Sequence, residues 1–162
     1  MVSLQVRPDD CDSFGHVNNA AYASFVQLAV VETLRTAGFD CDWSGRAGAR
    51  WWVKSLSIEY RSAAYYGEEL LAHSWLETAN PLAPVFGCEI RCNGQIRVRS
   101  RSTWMNLKCA TNETVPVSQD NLAALPVLPG SPAKPHTHFT VPPDIYPYRW
   151  RQQVLLSALD PF

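Results

Sequence analysis

One stretch near the N-terminus constrains the fold more than any other. Between Ala20 and Ala37, Tyr22, Phe25, Val26, Ala29, Val30, Thr33, Leu34 and Ala37 recur at the i, i+3, i+4, i+7 spacing of a single helical face. Asn18 or Asn19 precedes the run and can cap it, because a short polar side chain accepts the unpaired amide hydrogens of a first turn. Gly38 follows, suited to a left-handed stop. The rest of the first 110 residues changes period. "KSLSIEYR" alternates, with Leu56, Ile58 and Tyr60 on one side. "EELLAHSWLE" reads as a strand, as does "PVFGCEIRC", which sets Phe86, Cys88, Ile90 and Cys92 on one face. In "QIRVRSRSTWMNL", Ile96, Val98, Ser100, Ser102 and Trp104 face one way and Arg97, Arg99 and Arg101 the other. Asn93-Gly94 between the last two runs predicts a two-residue hairpin turn, where both positions need positive φ. A short run, "VSLQVRP", precedes the helix and ends at Pro8. One apolar helix stripe and one apolar sheet face bury each other most economically when the sheet wraps around the helix, an α+β arrangement.

Composition bounds the function classes. The chain has 162 residues, enough for one domain with a substantial core. Its net charge of −1 argues against nonspecific nucleic-acid binding, which needs a basic surplus. No stretch approaches the roughly 18 apolar residues of a membrane span, and "MVSLQVRPDD" lacks the apolar core of a secretory signal. The five cysteines, Cys11, Cys41, Cys88, Cys92 and Cys109, are odd in number and show no metal-type clustering, so free thiols in a cytoplasmic protein are expected.

The second half is organised differently. Residues 126–147 hold seven of the twelve prolines and read as an extended linker. Beyond it, 148–162 is again strand-like. Placing Gln153 on Gln5 puts Val154 on Val6, Asp160 on Asp12 and Phe162 on Phe14, four identities in ten positions. The expected organisation is a first domain over 1–125, a linker over 126–147, and the first strand of a truncated second repeat over 148–162. The alternative is an ordinary C-terminal strand. His136 and His138 lie in the linker without cysteine partners, so no zinc site is expected there.

The chemistry-bearing residues concentrate just before the helix: Asp10, Asp12, Gly15, His16, Val17, Asn18, Asn19 and Tyr22, in the pattern Asp-x-Asp-x-x-Gly-His-Val-Asn-Asn-x-x-Tyr. This stretch, followed by a helix and an antiparallel meander, resembles the hotdog-fold thioesterases, in particular the 4-hydroxybenzoyl-CoA thioesterase family and the acyl-ACP thioesterases. The order of elements resembles theirs over about residues 2–110. The resemblance implies a hotdog fold and hydrolysis of acyl-CoA or acyl-carrier-protein thioesters, within lipid metabolism. It places Asp12 where the benzoyl-CoA branch carries its catalytic carboxylate, and His16 where acyl-ACP thioesterases carry an active-site histidine. Two positions depart from the pattern. Phe14 stands where the plant acyl-ACP enzymes have asparagine, and Gln27 where related thioesterases often have glutamate, with Glu32 further along the helix.

The chemistry is consistent with this. Asp12 can activate water or attack the thioester carbonyl, and His16 can orient water or donate to the leaving thiolate. Free amides at the helix start can polarise the carbonyl oxygen. Gly15, Val17, Asn18, Asn19 and Tyr22 are the expected substrate contacts, with no metal or redox cofactor. Each residue also has a plainer role: Asp12 as a turn cap, His16 as a structural histidine, Asn18 and Asn19 as helix caps, Tyr22 as core, and Asp9 and Asp10 as solvated acids. The Arg97, Arg99, Arg101 row can meet CoA phosphates or an acidic carrier protein, or form a solvent face. A single such sheet leaves an open edge, so a homodimer or a pseudo-dimer with a second repeat is expected. Two alternatives stand beside hydrolysis: a non-catalytic binding or structural half of a tandem protein, and another hotdog activity such as a dehydratase.

Overall fold

The computed structural model describes residues 1–128 and the backbone of Arg151–Val154. The remaining linker residues, His136, His138, Trp150 and most of the expected second repeat lie outside the described residues. Seven strands form one antiparallel sheet: β1 (Val2–Gln5), β2 (Ala49–Tyr60), β3 (Glu69–Thr78), β4 (Val85–Cys92), β5 (Gln95–Lys108), β6 (Thr114–Val115) and β7 (Arg151–Val154). Their order is β1-β3-β4-β5-β2-β7, with β6 paired to β5. Three helices accompany them: α1 (Asn19–Thr36), α2 (Cys41–Ala47) and α3 (Gln119–Ala123).

The expected helix is present and shifted by one residue. Asn18 is its N-cap, the side-chain Oδ1 accepting from the Ala20 amide at 2.9 Å. The predicted stripe is the buried stripe: Tyr22, Phe25, Val26, Ala29, Val30, Thr33 and Leu34 are all buried. They meet Leu56, Ile58, Leu70, Ala72, Phe86, Cys88, Ile90, Val98 and Trp104 from the sheet. Fully burying one such aliphatic or aromatic side chain contributes about 1.5–3 kcal/mol, so the stripe alone fixes which face of α1 turns inward. Two buried hydroxyls pin the helix laterally. Thr33 Oγ1 and Ser74 Oγ share a hydrogen bond at 2.8 Å, and the hydroxyl that accepts in it donates to the Ala29 carbonyl, which lies 3.0 Å from Thr33 Oγ1 and 3.3 Å from Ser74 Oγ.

The Asn93-Gly94 turn has the positive φ values expected of it, 49° and 80°, and Cys92 pairs with Gln95 across it. The strand faces also follow the alternation, with one instructive exception. In the β4–β5 ladder Ile90 pairs with Val98 but Arg91 pairs with Ile96. Arg97 is therefore the extra residue of a β-bulge, a feature that re-aims a side chain locally. The expected row of three arginines does not form. Arg99 and Arg101 lie on the face away from α1 and pair with Glu89 and Glu77, while Arg97 pairs with Glu68 and is only 14% exposed. Burial works to raise the Glu89 carboxyl, but hydrogen bonds from Arg91 and Arg99 outweigh it and hold the group below the ordinary glutamate range. The outer-face cations are thus largely answered by acids of the same sheet.

Helices α2 and α3 and the short β6 had no periodic signal. Helix α2 is capped by the Asp40 side chain, which accepts from the Trp43 amide at 2.7 Å. Beside it Phe39, Trp43 and Trp51 pack edge-to-face and stacked. Leu122 of α3 and Leu125 join the core, and the Pro126 carbonyl accepts from the Leu76 amide at 2.8 Å. Strand β7 pairs antiparallel with β2, Leu56 opposite Val154 and Glu59 opposite Arg151. Of the five cysteines, Cys11, Cys88, Cys92 and Cys109 are free thiols. Burial pushes the Cys88 thiol up to about 12, so it packs as a small apolar group rather than a nucleophile.

Candidate active site

The motif folds as two small turns that deliver the chain to the start of α1. A 3₁₀ turn spans Pro8–Asp10. Asp10, read from the sequence as a solvated acid, is 7% exposed. Its carboxylate accepts from the Arg7 backbone amide at 2.9 Å and from the Arg7 guanidinium at 3.2 and 3.3 Å. The Arg7 hydrogen bond holds its carboxyl below the ordinary aspartate range. Its carbonyl accepts from the Asn18 amide at 2.8 Å, which ties this turn to the helix cap. Asp10 therefore has a structural role: its side chain closes the Pro8–Asp10 turn on the Arg7 amide and its carbonyl joins that turn to the start of α1.

The second turn, Asp12 to His16, holds the two candidate catalytic groups. The Asp12 amide donates to the His16 carbonyl at 2.8 Å, and the Gly15 amide to the Asp12 carbonyl at 3.0 Å. Asp12 Oδ1 accepts from the Phe14 amide at 2.9 Å and the His16 amide at 3.3 Å. Gly15 has φ +78°, the left-handed conformation that closes so tight a loop and that a side chain would strain. One oxygen of Asp12 is thus committed to shaping its own loop. Both Asp12 and His16 are half-buried.

A second segment packs against this turn. His16 bridges Tyr65, and their rings meet edge-to-face with centroids 5.2 Å apart. The Val17 amide donates to the Ala64 carbonyl at 2.8 Å. Phe14, 81% exposed, together with Tyr65 and Tyr66, gives the site an exposed aromatic rim. The first turn of α1 follows immediately. Asn18 satisfies the Ala20 amide, and the Asn19 amide meets no acceptor among the described residues, so it is a free donor at the helix start. Tyr60 Oη donates to the Asn19 carbonyl at 3.0 Å.

The structure sorts the expected substrate contacts. Gly15 and Asn19 are exposed beside Asp12 and His16, and Asn18 is exposed but acts as the helix cap. Val17 and Tyr22 are core residues at 5% and 2% exposure and present almost no surface to a ligand. Burial pushes the Tyr22 phenol up to about 12, so it is neutral at physiological pH. Tyr65 carried no signal in the sequence: its partner lies 49 positions earlier, and only the fold brings the two loops together.

A sheet curled over one long buried helix, with a polar loop feeding that helix, defines a hotdog domain. The chain belongs to the thioesterase-like superfamily, which matches residues 6–125. Among individual relatives, the acyl-acyl carrier protein thioesterase ATL3, chloroplastic, of Arabidopsis thaliana is 34% identical over 70 residues, covering 43% of this chain and 37% of that protein. The chain therefore aligns with little more than a third of that relative's length. A DHNA-CoA thioesterase from Staphylococcus aureus superposes with TM-score 0.67 at 20% identity, covering 71% of this chain and 78% of the other. An acyl-ACP thioesterase from Bacteroides thetaiotaomicron superposes with TM-score 0.71 at 15% identity, covering 87% and 58%. At these identities the two structures show the shared fold.

Proposed function

We propose that the protein hydrolyses acyl thioesters, with acyl-CoA or an acyl carrier protein as the thiol carrier. One observation supports this most directly: the closed Asp12–His16 turn stands immediately before the first turn of α1, so carboxylate, imidazole and free helix amide occupy one short segment. In this reading the acyl carbonyl oxygen sits toward the Asn19 amide, which supplies a fixed dipole as negative charge develops; one such donor is worth about 2.7–4 kcal/mol in the transition state. The oxygen of Asp12 not used by its loop takes a proton from water or attacks the carbonyl carbon. If water attacks, the tetrahedral intermediate collapses with loss of the thiolate, which His16 protonates; if Asp12 attacks, the thiolate leaves in the same way and water then hydrolyses the Asp12–acyl anhydride, releasing the acid and restoring the carboxylate. The thioester bond is exchanged for an acid and a free thiol, and no electron acceptor is involved. Sequence relatives named as an acyl-acyl carrier protein thioesterase and, in Bacillus subtilis, as a putative acyl-CoA thioesterase, 25% identical over 101 residues, support both classes of carrier.

We also read the domain as one half of a pair, either two copies or a tandem chain with a second repeat after the proline-rich segment. The supporting feature is the outer edge of β2: among the described strands only β7 lies against it, and only over Leu56–Glu59, leaving Ala49–Ser55 without a neighbour on that side.

The test is thiol release from a panel of acyl-CoA and acyl-carrier-protein thioesters by the full-length protein. Turnover of at least one supports hydrolysis. The competing reading is a non-catalytic binding half, favoured by the commitment of one Asp12 oxygen to backbone amides. It is preferred if the protein binds such thioesters and cleaves none.

A further inference from the structure

The bulge at Arg97 points to a residue set that the motif itself does not contain. The Arg97 carbonyl accepts from the Arg61 amide at 2.9 Å and the Ser62 amide at 3.3 Å. Its guanidinium reaches Ser62 Oγ at 3.3 Å and Glu68 Oε1 at 3.2 Å. The other Glu68 oxygen, Oε2, accepts from the Tyr65 amide at 2.9 Å. One residue of β5 thus holds both ends of the 61–68 loop, and the middle of that loop, Ala64 and Tyr65, is what His16 and Val17 rest on. Arg99 and Arg101, two and four positions on, do none of this, because only Arg97 is displaced from the strand alternation.

We propose that Arg97 and Glu68 are positioning residues for His16: the ion pair fixes the 61–68 loop, and the loop sets the orientation of the imidazole through the Tyr65 ring and the Val17–Ala64 hydrogen bond. The physical reason is orientation. A side chain with two free torsions is useful in proton transfer only when its ring plane is held, and misplacement of about 1 Å at a reacting centre can cost about a hundredfold in rate. An arginine held by a bulge is well suited to this, because its planar fork ties two partners, Ser62 and Glu68, in one geometry. The inference rests on His16 acting in the proposed hydrolysis, and its test is arranged so that the two ideas fail separately.

The experiment compares Arg97→Met, Arg97→Lys and Glu68→Gln with Arg99→Met, an outer-face control with the same chemical change on the same strand. Arg97→Met is expected to lower kcat about tenfold or more while KM stays within about twofold. Arg97→Lys, which can keep the contact with Glu68, is expected to recover most of that loss. Arg99→Met is expected to match wild type. The second readout is independent of turnover: the His16 ring resonances in NMR, assigned with His16→Gln, and their pH titration. They are expected to move in Arg97→Met and Glu68→Gln and to stay in place in Arg99→Met. If the wild type cleaves no thioester, hydrolysis is wrong and the ring resonances alone decide the positioning role. If Arg97→Met does not fold, Glu68→Gln, nearly isosteric, decides it. The proposal is overturned if the folded variants leave the His16 resonances where wild type has them, or if Arg97→Met is no slower than Arg99→Met.

Discussion

Asp12 and His16 hold each other in a single turn: the Asp12 amide donates to the His16 carbonyl at 2.8 Å while the His16 amide donates back to Asp12 Oδ1 at 3.3 Å. This reciprocity lets structure and chemistry be separated at one position. Asparagine keeps the accepting Oδ1 and loses the charge. Asp12→Asn is therefore expected to melt at the wild-type temperature and to lower thioester turnover by about a hundredfold or more. Asp12→Ala is expected to lose activity and loosen the loop together. Full activity in Asp12→Asn, measured as thiol release, removes Asp12 from the mechanism.

Asn18 supplies the N-terminal side-chain cap of α1, through its hydrogen bond to the Ala20 amide. Asn18→Ala is expected to cost about 1 kcal/mol of stability, and Asn18→Ser or Asn18→Asp to restore most of it. Chemical denaturation with unchanged slope checks this. A loss of activity beyond the loss of stability is expected as well, since the same turn carries the free Asn19 amide.

The acid limb of stability depends on Asp10. Its folded carboxyl lies below the usual value because Arg7 hydrogen-bonds to the ionised form. A depressed acid binds its proton less readily when folded than when unfolded. Its stabilisation is therefore complete above the unfolded pKa of about 3.9 and is lost as pH falls through the lower folded value. Asp10→Asn is expected to flatten the fall in melting temperature below about pH 4 and to melt earlier than wild type at neutral pH. An unchanged pH profile in Asp10→Asn contradicts this assignment.

On the outer face, Trp75 lies so close over Gly87 that a Cβ there would fall 2.6 Å from the indole ring and from Glu77 Oε1. Gly87→Ala is expected to displace the indole, to cost about 1–3 kcal/mol as an overpacking substitution, and to shift tryptophan emission toward the red. Wild-type stability in this variant means the ring can move away freely.

Tyr22 Oη is buried and makes no hydrogen bond of good geometry among the described residues, although the Ala64 backbone lies close enough to act weakly on the phenol. Tyr22→Phe is expected to change stability by no more than about 1 kcal/mol in either direction, since a poorly paired hydroxyl in the core contributes little. A clear loss of stability shows that the hydroxyl does have a partner.

The sequence by itself determined the helix, the meander and the location of the motif, because these are local or periodic. The stripe from Tyr22 to Leu34 could only be buried on one side, and the Asn93-Gly94 turn could only join neighbouring strands. It narrowed the cap to Asn18 or Asn19, since a cap and its amide are two residues apart, and the structure selects Asn18. The same reading placed Asp10 in solvent and set three arginines in a row. These were settled by how a local turn packs on the helix entry, or by a one-residue slip in register. Asp10 is buried because the Arg7 turn folds back on the helix entry. Arg97 leaves its row because a bulge interrupts the alternation. Tyr65 meets His16 only because the folded sheet brings the 61–68 loop onto the motif. Local spacing specifies which groups a segment carries. The packing of distant segments specifies which of those groups face solvent, which face each other and which are consumed in holding the fold, because burial and hydrogen-bond partners depend on every element that closes around them.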